Sequence, residues 1–159
     1  MKRTLFAVLL YIIISAILWI GWQFLSVLTF FPNDIIGTYI EVPVPNKLKL
    51  VVINTPFYGK IVNENDETVV HRVDSLQVVG DYVVGRDSSA FFSLNTITQS
   101  VSYYDSKDTL KKTEDIDYDS MLCPLGYYES HRKPYDILMM IVIALISLAS
   151  SLFIKRKRH

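Results

Sequence analysis

Thr4–Phe31 reads TLFAVLLYIIISAILWIGWQFLSVLTFF, a run without a single charged side chain. At about 1.5 Å of rise per residue, a helix of this length outreaches the roughly 30 Å hydrocarbon layer of a bilayer. The apolar stretch is too long for the core of a cleaved signal peptide and has no small-x-small site beside a polar shift. The expectation is an uncleaved membrane helix over residues 4–31, with Trp19 and Trp22 placed for an outer aromatic belt and Pro32 ending the helix.

A second run, ILMMIVIALISLASSLFI (Ile137–Ile154), is long enough to cross and is followed at once by KRKRH. Across the 159 residues the formal net charge is zero, but every Asp and Glu lies between Asp34 and Asp136, whereas Lys2, Arg3, Lys155, Arg156, Lys157 and Arg158 sit at the tips. Basic tips abutting apolar runs are cytoplasmic anchors by the positive-inside rule. Two such tips on one side require an even number of crossings, so the middle of the chain is expected in a periplasm or on an outer surface, with the bacterial inner membrane the expected location. The bilayer explains these basic residues, and no nucleic-acid partner is expected.

The domain organisation expected is therefore a cytoplasmic tip (1–3), a first membrane helix (4–31) and an extracytoplasmic domain (32–134) carrying an acidic loop at about 105–120. A second membrane helix (135–154) and a basic cytoplasmic tail (155–159) complete it. From Gly37 onward the pattern changes to short alternating runs, TYIEVPVP, KLKLVVIN, FYGKIV, ETVVHRV, SLQVV, YVVG, AFFSL and SVSYY, separated by NTP, NEND, GD, GRDSS and NTITQ. Alternation with Gly, Asn and Asp punctuation predicts antiparallel hairpins closing into a small barrel or a two-layer sheet. Pro43 and Pro45 cannot donate ladder hydrogen bonds and mark the first strand as an edge.

Strict alternation on a strand places His71 with Val69 and Val73, facing the core. VVHRV followed by GDYVVGRDSS resembles the signal peptidase I family in its archaeal and endoplasmic-reticulum form. That likeness implies a membrane-anchored serine peptidase with His71 as general base and Asp81 or Asp87 orienting it. The family places a Ser-Met-x-Pro box before the histidine; here FFPNDIIGTYIEV holds no serine, and the comparable string, SMLCP with Ser120 and Met121, follows it.

Other groups are candidate sites. Asp115, Asp117 and Asp119 have the spacing that opens a calcium loop, without its glycine and closing glutamate. Cys123, the single cysteine, excludes an internal disulfide and leaves an intermolecular one, a route to a homodimer. The histidines and this cysteine lack zinc spacing, and no cofactor is expected. Ala144, Ser147 and Ser151 form a small-residue stripe suited to close helix packing, against the first helix or against another protein. Tyr103, Tyr104, Tyr118, Tyr127, Tyr128 and Tyr135 give the second half aromatic character, divided between the β-core and, for Tyr127, Tyr128 and Tyr135, the membrane interface. The reading favoured is a non-enzymatic accessory, sensing or immunity-like protective module that presents its β-domain to another membrane or extracytoplasmic protein. The peptidase and a calcium-responsive module are the alternatives.

Overall fold

The structure, a computed structural model, describes residues 2–29, 39–53, 57–114 and 120–157. Its two compact units are a helical unit, residues 1–30 with 132–159, and a β unit, residues 31–131. Two long apolar helices flank two four-stranded antiparallel sheets in the chain. They are α1 (Lys2–Thr29) and α3 (Pro124–Lys157), and within the helical unit they pack together.

The first sheet is a meander of β1 (Tyr39–Val44), β2 (Leu48–Ile53), β3 (Gly59–Val62) and β4 (Thr68–Val73). The second is a meander of β5 (Ser75–Val79), β6 (Tyr82–Arg86), β7 (Phe91–Asn95) and β8 (Val101–Tyr104). Each strand coincides with one of the alternating runs, and among the described residues the β1–β2, β3–β4, β5–β6 and β7–β8 turns each hold a residue in left-handed backbone. Asn46 and Lys47 turn β1 into β2, Gly80 turns β5 into β6, and Gln99 lies in the β7–β8 turn, all at positive φ. Only Asp74 separates β4 from β5, so one nearly continuous strand passes from the first sheet to the second.

Both sheets turn one face to a shared core. Val42, Leu48, Leu50, Ile61, Val70 and Val73 from the first meet Leu76, Val83, Phe92 and Leu94 from the second. Tyr127 and Tyr128, in the first turn of α3, are buried in this same core, and the Tyr127 hydroxyl donates to the Pro43 carbonyl at 3.3 Å. This corrects the expectation that both lie at a membrane interface; of the three tyrosines placed there, only Tyr135 is exposed. The cause is the early start of α3, at Pro124, thirteen residues ahead of the apolar run that begins at Ile137. Pro124 at the first helical position has no N–H to lose and a preset φ, and Cys123 caps it by accepting a hydrogen bond from Gly126 N–H at 3.4 Å.

The opposite face of the second sheet is covered by α2 (Lys107–Glu114), whose Leu110 is fully buried against Val84, with Tyr82, Phe91 and Tyr104 alongside. The acidic stretch thus begins as a short helix. Inside the core, Gly85 sits opposite Phe92, and a Cβ there would stand 2.4 Å from the ring Cζ and 2.7 Å from the Ser75 carbonyl oxygen. Neither a wedged ring nor a ladder carbonyl can yield that much. Gly85→Ala is expected to cost about 1–3 kcal/mol, read as a lowered midpoint in denaturant unfolding of the detergent-solubilised chain; an unchanged midpoint would show that this packing is looser than described.

Candidate functional site

His71 is exposed on β4, contrary to the expectation that it faces the core. The register explains the difference. Gly59 pairs with Val73 and Ile61 with Val70, so β4 carries one residue more than β3 over this interval, and a further shift follows between Ile61 and Val62. Such a β-bulge breaks the alternation: Val70 and Val73 both point inward, and His71 and Arg72 both point out.

Arg72 donates from Nε to Asp74 at 2.9 Å and lies over the Tyr58 ring, 4.6 Å from its centroid. Among the described residues, no hydrogen bond joins His71 to Ser120, Asp81 or Asp87. Asp81 lies in the β5–β6 turn and contributes its carbonyl, which accepts from both the N–H and the hydroxyl of Thr96 at 2.8 Å. The Asp87 carboxylate is taken up by its own loop, accepting from Ser89 N–H at 2.7 Å, Ala90 N–H at 2.8 Å and the Ser89 hydroxyl at 3.0 Å. The structure therefore does not assemble the four residues into a triad. Partial burial alone would raise the Asp87 pKa, but these hydrogen bonds and the Arg72 charge outweigh it and hold the carboxyl below its ordinary value.

Ser120 stands elsewhere, at a cleft of about 390 Å³ lined by Pro45, Leu76, Gln77, Val78, Leu122, Tyr127, Ser130 and His131 besides itself. Its backbone N–H donates to the Gln77 side chain at 3.1 Å, and the next residues close one bridge on the β5 edge, where Leu76 and Leu122 exchange N–H···O bonds of 2.8 and 2.9 Å. The histidine lining this cleft is His131, whose Nδ1 meets the Tyr127 carbonyl at 3.1 Å and so carries the proton, with its ring tilted against Tyr127. The cleft is mostly apolar, with Gln77, Ser120, Tyr127, Ser130 and His131 as its polar lining residues. Among the described residues, no hydrogen bond joins the Ser120 or Ser130 hydroxyl to the His131 ring: the Ser130 hydroxyl donates to the Tyr127 carbonyl at 2.7 Å, which His131 Nδ1 also meets.

Cys123 is free and exposed. Asp115, Asp117 and Asp119 lie outside the described residues, as do Tyr118 and Arg158; the side chains of Lys2, Arg3, Lys155, Arg156 and Lys157 are likewise outside them. In the helical unit, Ser147 is fully buried and its hydroxyl accepts from Ser15 of α1 at 2.9 Å; Ser151 is also buried and Ala144 half-buried.

Sequence reasoning missed a second polar contact in this unit. Trp22 Nε1 donates to Asp136 Oδ1 at 2.8 Å, Asp136 Oδ2 accepts from Arg132 Nε at 3.1 Å, and Arg132 Nη2 reaches Ser26 at 3.3 Å and the Gln23 side chain. Trp22 and Ser26 are buried, and the ionic side chains of Arg132 and Asp136 are largely covered. The signal available in the sequence was the i, i+4 spacing of Arg132 and Asp136 immediately before an uncharged run.

Compared with protein-family models, curated proteins and solved structures, the chain matches none.

Two measurements check these placements. Because the Asp87 pKa is depressed on folding, its contribution is fully present above the unfolded carboxylate value of about 3.9 and is lost as pH falls through the lower folded value. Asp87→Ala is expected to lower stability by about 1 kcal/mol at neutral pH, and the gap to wild type should close on acidification below that range. A gap independent of pH would assign the loop's stability to something other than this carboxylate. For the helix contact, Ser15→Cys with Ser147→Cys, in a Cys123→Ser background that keeps the cap, should form an intramolecular disulfide on mild oxidation, seen as a shift in nonreducing electrophoresis; absence of the shift would place the two positions apart.

Proposed function

We propose that this chain is a two-pass membrane protein whose helical unit tethers the β unit outside the cytoplasm, and that the tethered domain acts as a non-enzymatic accessory, sensing or protective module for a protein partner. The observation that carries the reading is the inverted polarity of the helix pair. Leu5, Ile12, Ile17, Leu138, Ile141 and Leu145 are exposed, while serines, Trp22 and an Arg–Asp pair occupy the seam. A helix pair in water hides its apolar stripe and exposes its charges; one in hydrocarbon does the opposite, turning apolar side chains to lipid and polar groups to each other. Both helices are long and apolar enough to cross.

The positive-inside bias then sets both termini in the cytoplasm. The β unit offers aromatic contact area for a protein partner, with Phe57, Tyr58 and Tyr103 exposed. The unassembled His71, Ser120, Asp81 and Asp87 favour binding over peptide hydrolysis.

Two experiments test the reading. Cys123 is a natural reporter of side, exposed and alone. A membrane-impermeant maleimide should label it on intact spheroplasts, whereas labelling only after lysis would reverse the topology. Purification in mild detergent from the native membrane should then bring a companion protein in fixed stoichiometry, identified by mass spectrometry. If the chain emerges alone and His71→Ala or Ser120→Ala abolishes a phenotype that the wild-type chain supports, the accessory reading fails.

A further inference from the structure

Each four-stranded sheet has two edges, and three of the four are blunted. On β1, Pro43 offers no N–H and its carbonyl is taken by Tyr127. On β4, the bulge and the outward His71 and Arg72 disrupt pairing. On β5, the Leu122 bridge takes up the outward N–H and C=O of Leu76, the second of its five residues. Proteins manage strand edges with these devices because an open edge templates pairing with another chain. Among the described residues, the edge of β8 has none of them: Val-Ser-Tyr-Tyr is uncharged, free of proline and in unbroken register with β7.

The phase of its hydrogen bonds follows from the adjoining turn. Asn95 N–H bonds the Ser100 carbonyl, so at alternate positions Ser102 and Tyr104 bond to β7, while Val101 and Tyr103 turn their N–H and C=O groups away from the sheet. Tyr103 is 55% exposed, its ring against Phe92 at 6.5 Å between centroids. Val101 shares its face, partly buried against the core.

We propose that β8 pairs with β8 of a second copy of this chain, antiparallel about a two-fold axis through Ser102, to make one continuous eight-stranded sheet. This goes beyond the membrane-tethered reading and rests on it only for the shared orientation of the two copies in one bilayer. The phase selects the occupant. With Val101 opposite the partner copy's Tyr103, and the reverse, all four outward N–H and C=O pairs are met in a single register. The same register sets a β-branched residue against an aromatic one twice on one face, a favourable cross-strand pair. On the other face Ser102 meets its own copy at the axis, a non-hydrogen-bonded position where side chains approach most closely. The strand's own sequence is thus self-complementary, and it carries no charge to repel its copy.

The test uses the full chain in a Cys123→Ser background. Ser102→Cys should give a covalent dimer on mild oxidation, both in membranes and in detergent, while Thr98→Cys in the exposed turn should not. Ser102→Lys, which sets two like charges at the axis, should weaken dimerisation at least tenfold by light scattering without lowering the unfolding midpoint measured at dilutions where both chains are monomeric. Mixing Ser102→Lys with Ser102→Glu should restore the dimer. A chain monomeric at every concentration, a dimer indifferent to Ser102→Lys, or oxidation of Ser102→Cys onto a different protein would each overturn the proposal. If the crosslink fails while Cys123 still labels from outside, the dimer falls and the membrane topology stands.

Discussion

The polar seam between α1 and α3 is the contact on which the helical unit depends. Under the proposed membrane placement, two apolar helices gain nothing by hiding leucines from lipid that is as apolar as they are, so association rests on close packing and interhelical hydrogen bonds. Here those are the Ser15–Ser147 bond in the apolar stretch and the Trp22–Asp136–Arg132 linkage toward the other end of α1. The two are complementary. Small serines let the backbones approach, and the indole and guanidinium reach across where the helices carry longer side chains. Asp136 accepts from both Trp22 and Arg132, so its charge is offset by a cation and two donors, the condition under which a covered carboxylate is tolerated.

The β unit obeys a different constraint. Its core is supplied mainly by alternating strands, and the positions of those strands were legible because Asn46, Lys47, Gly80 and Gln99 lie in turns between periodic runs. The spans of both apolar helices could likewise be read from their lack of charge. What could not be read was any place where a tertiary partner overrides periodicity. The bulge in β4 looks in sequence like ordinary alternation, since nothing in ETVVHRV announces that β3 is shorter than the strand opposite. The early start of α3 was encoded locally, in Cys123–Pro124, but the continuing apolar run drew attention to its later part.

The candidate site was legible only as separate residues. His71 and Ser120 each suggest chemistry in isolation, yet one is carried outward by a bulge and the other is bound to Gln77 beside a different histidine. Spacing along a chain of meandering strands says little about which side chains meet, because neighbouring rows diverge with each irregularity of register. The helix stripe of Ala144, Ser147 and Ser151 was easier, because helical periodicity alone places those residues on one face.

Both sheets are meanders in which every strand pairs with its neighbours in sequence, so almost no ladder contact spans a long loop. Topologies of this kind close their hairpins locally and in order, at low entropic cost. The exceptions are the Leu76–Leu122 bridge and the buried Tyr127 and Tyr128, which come from the segment made last. A chain emerging from its N-terminus would therefore hold eight paired strands around an unfinished core until the opening turn of α3 arrives. Completion of the domain thus waits on the first residues of α3, the element that leads out of the β unit into the helical one.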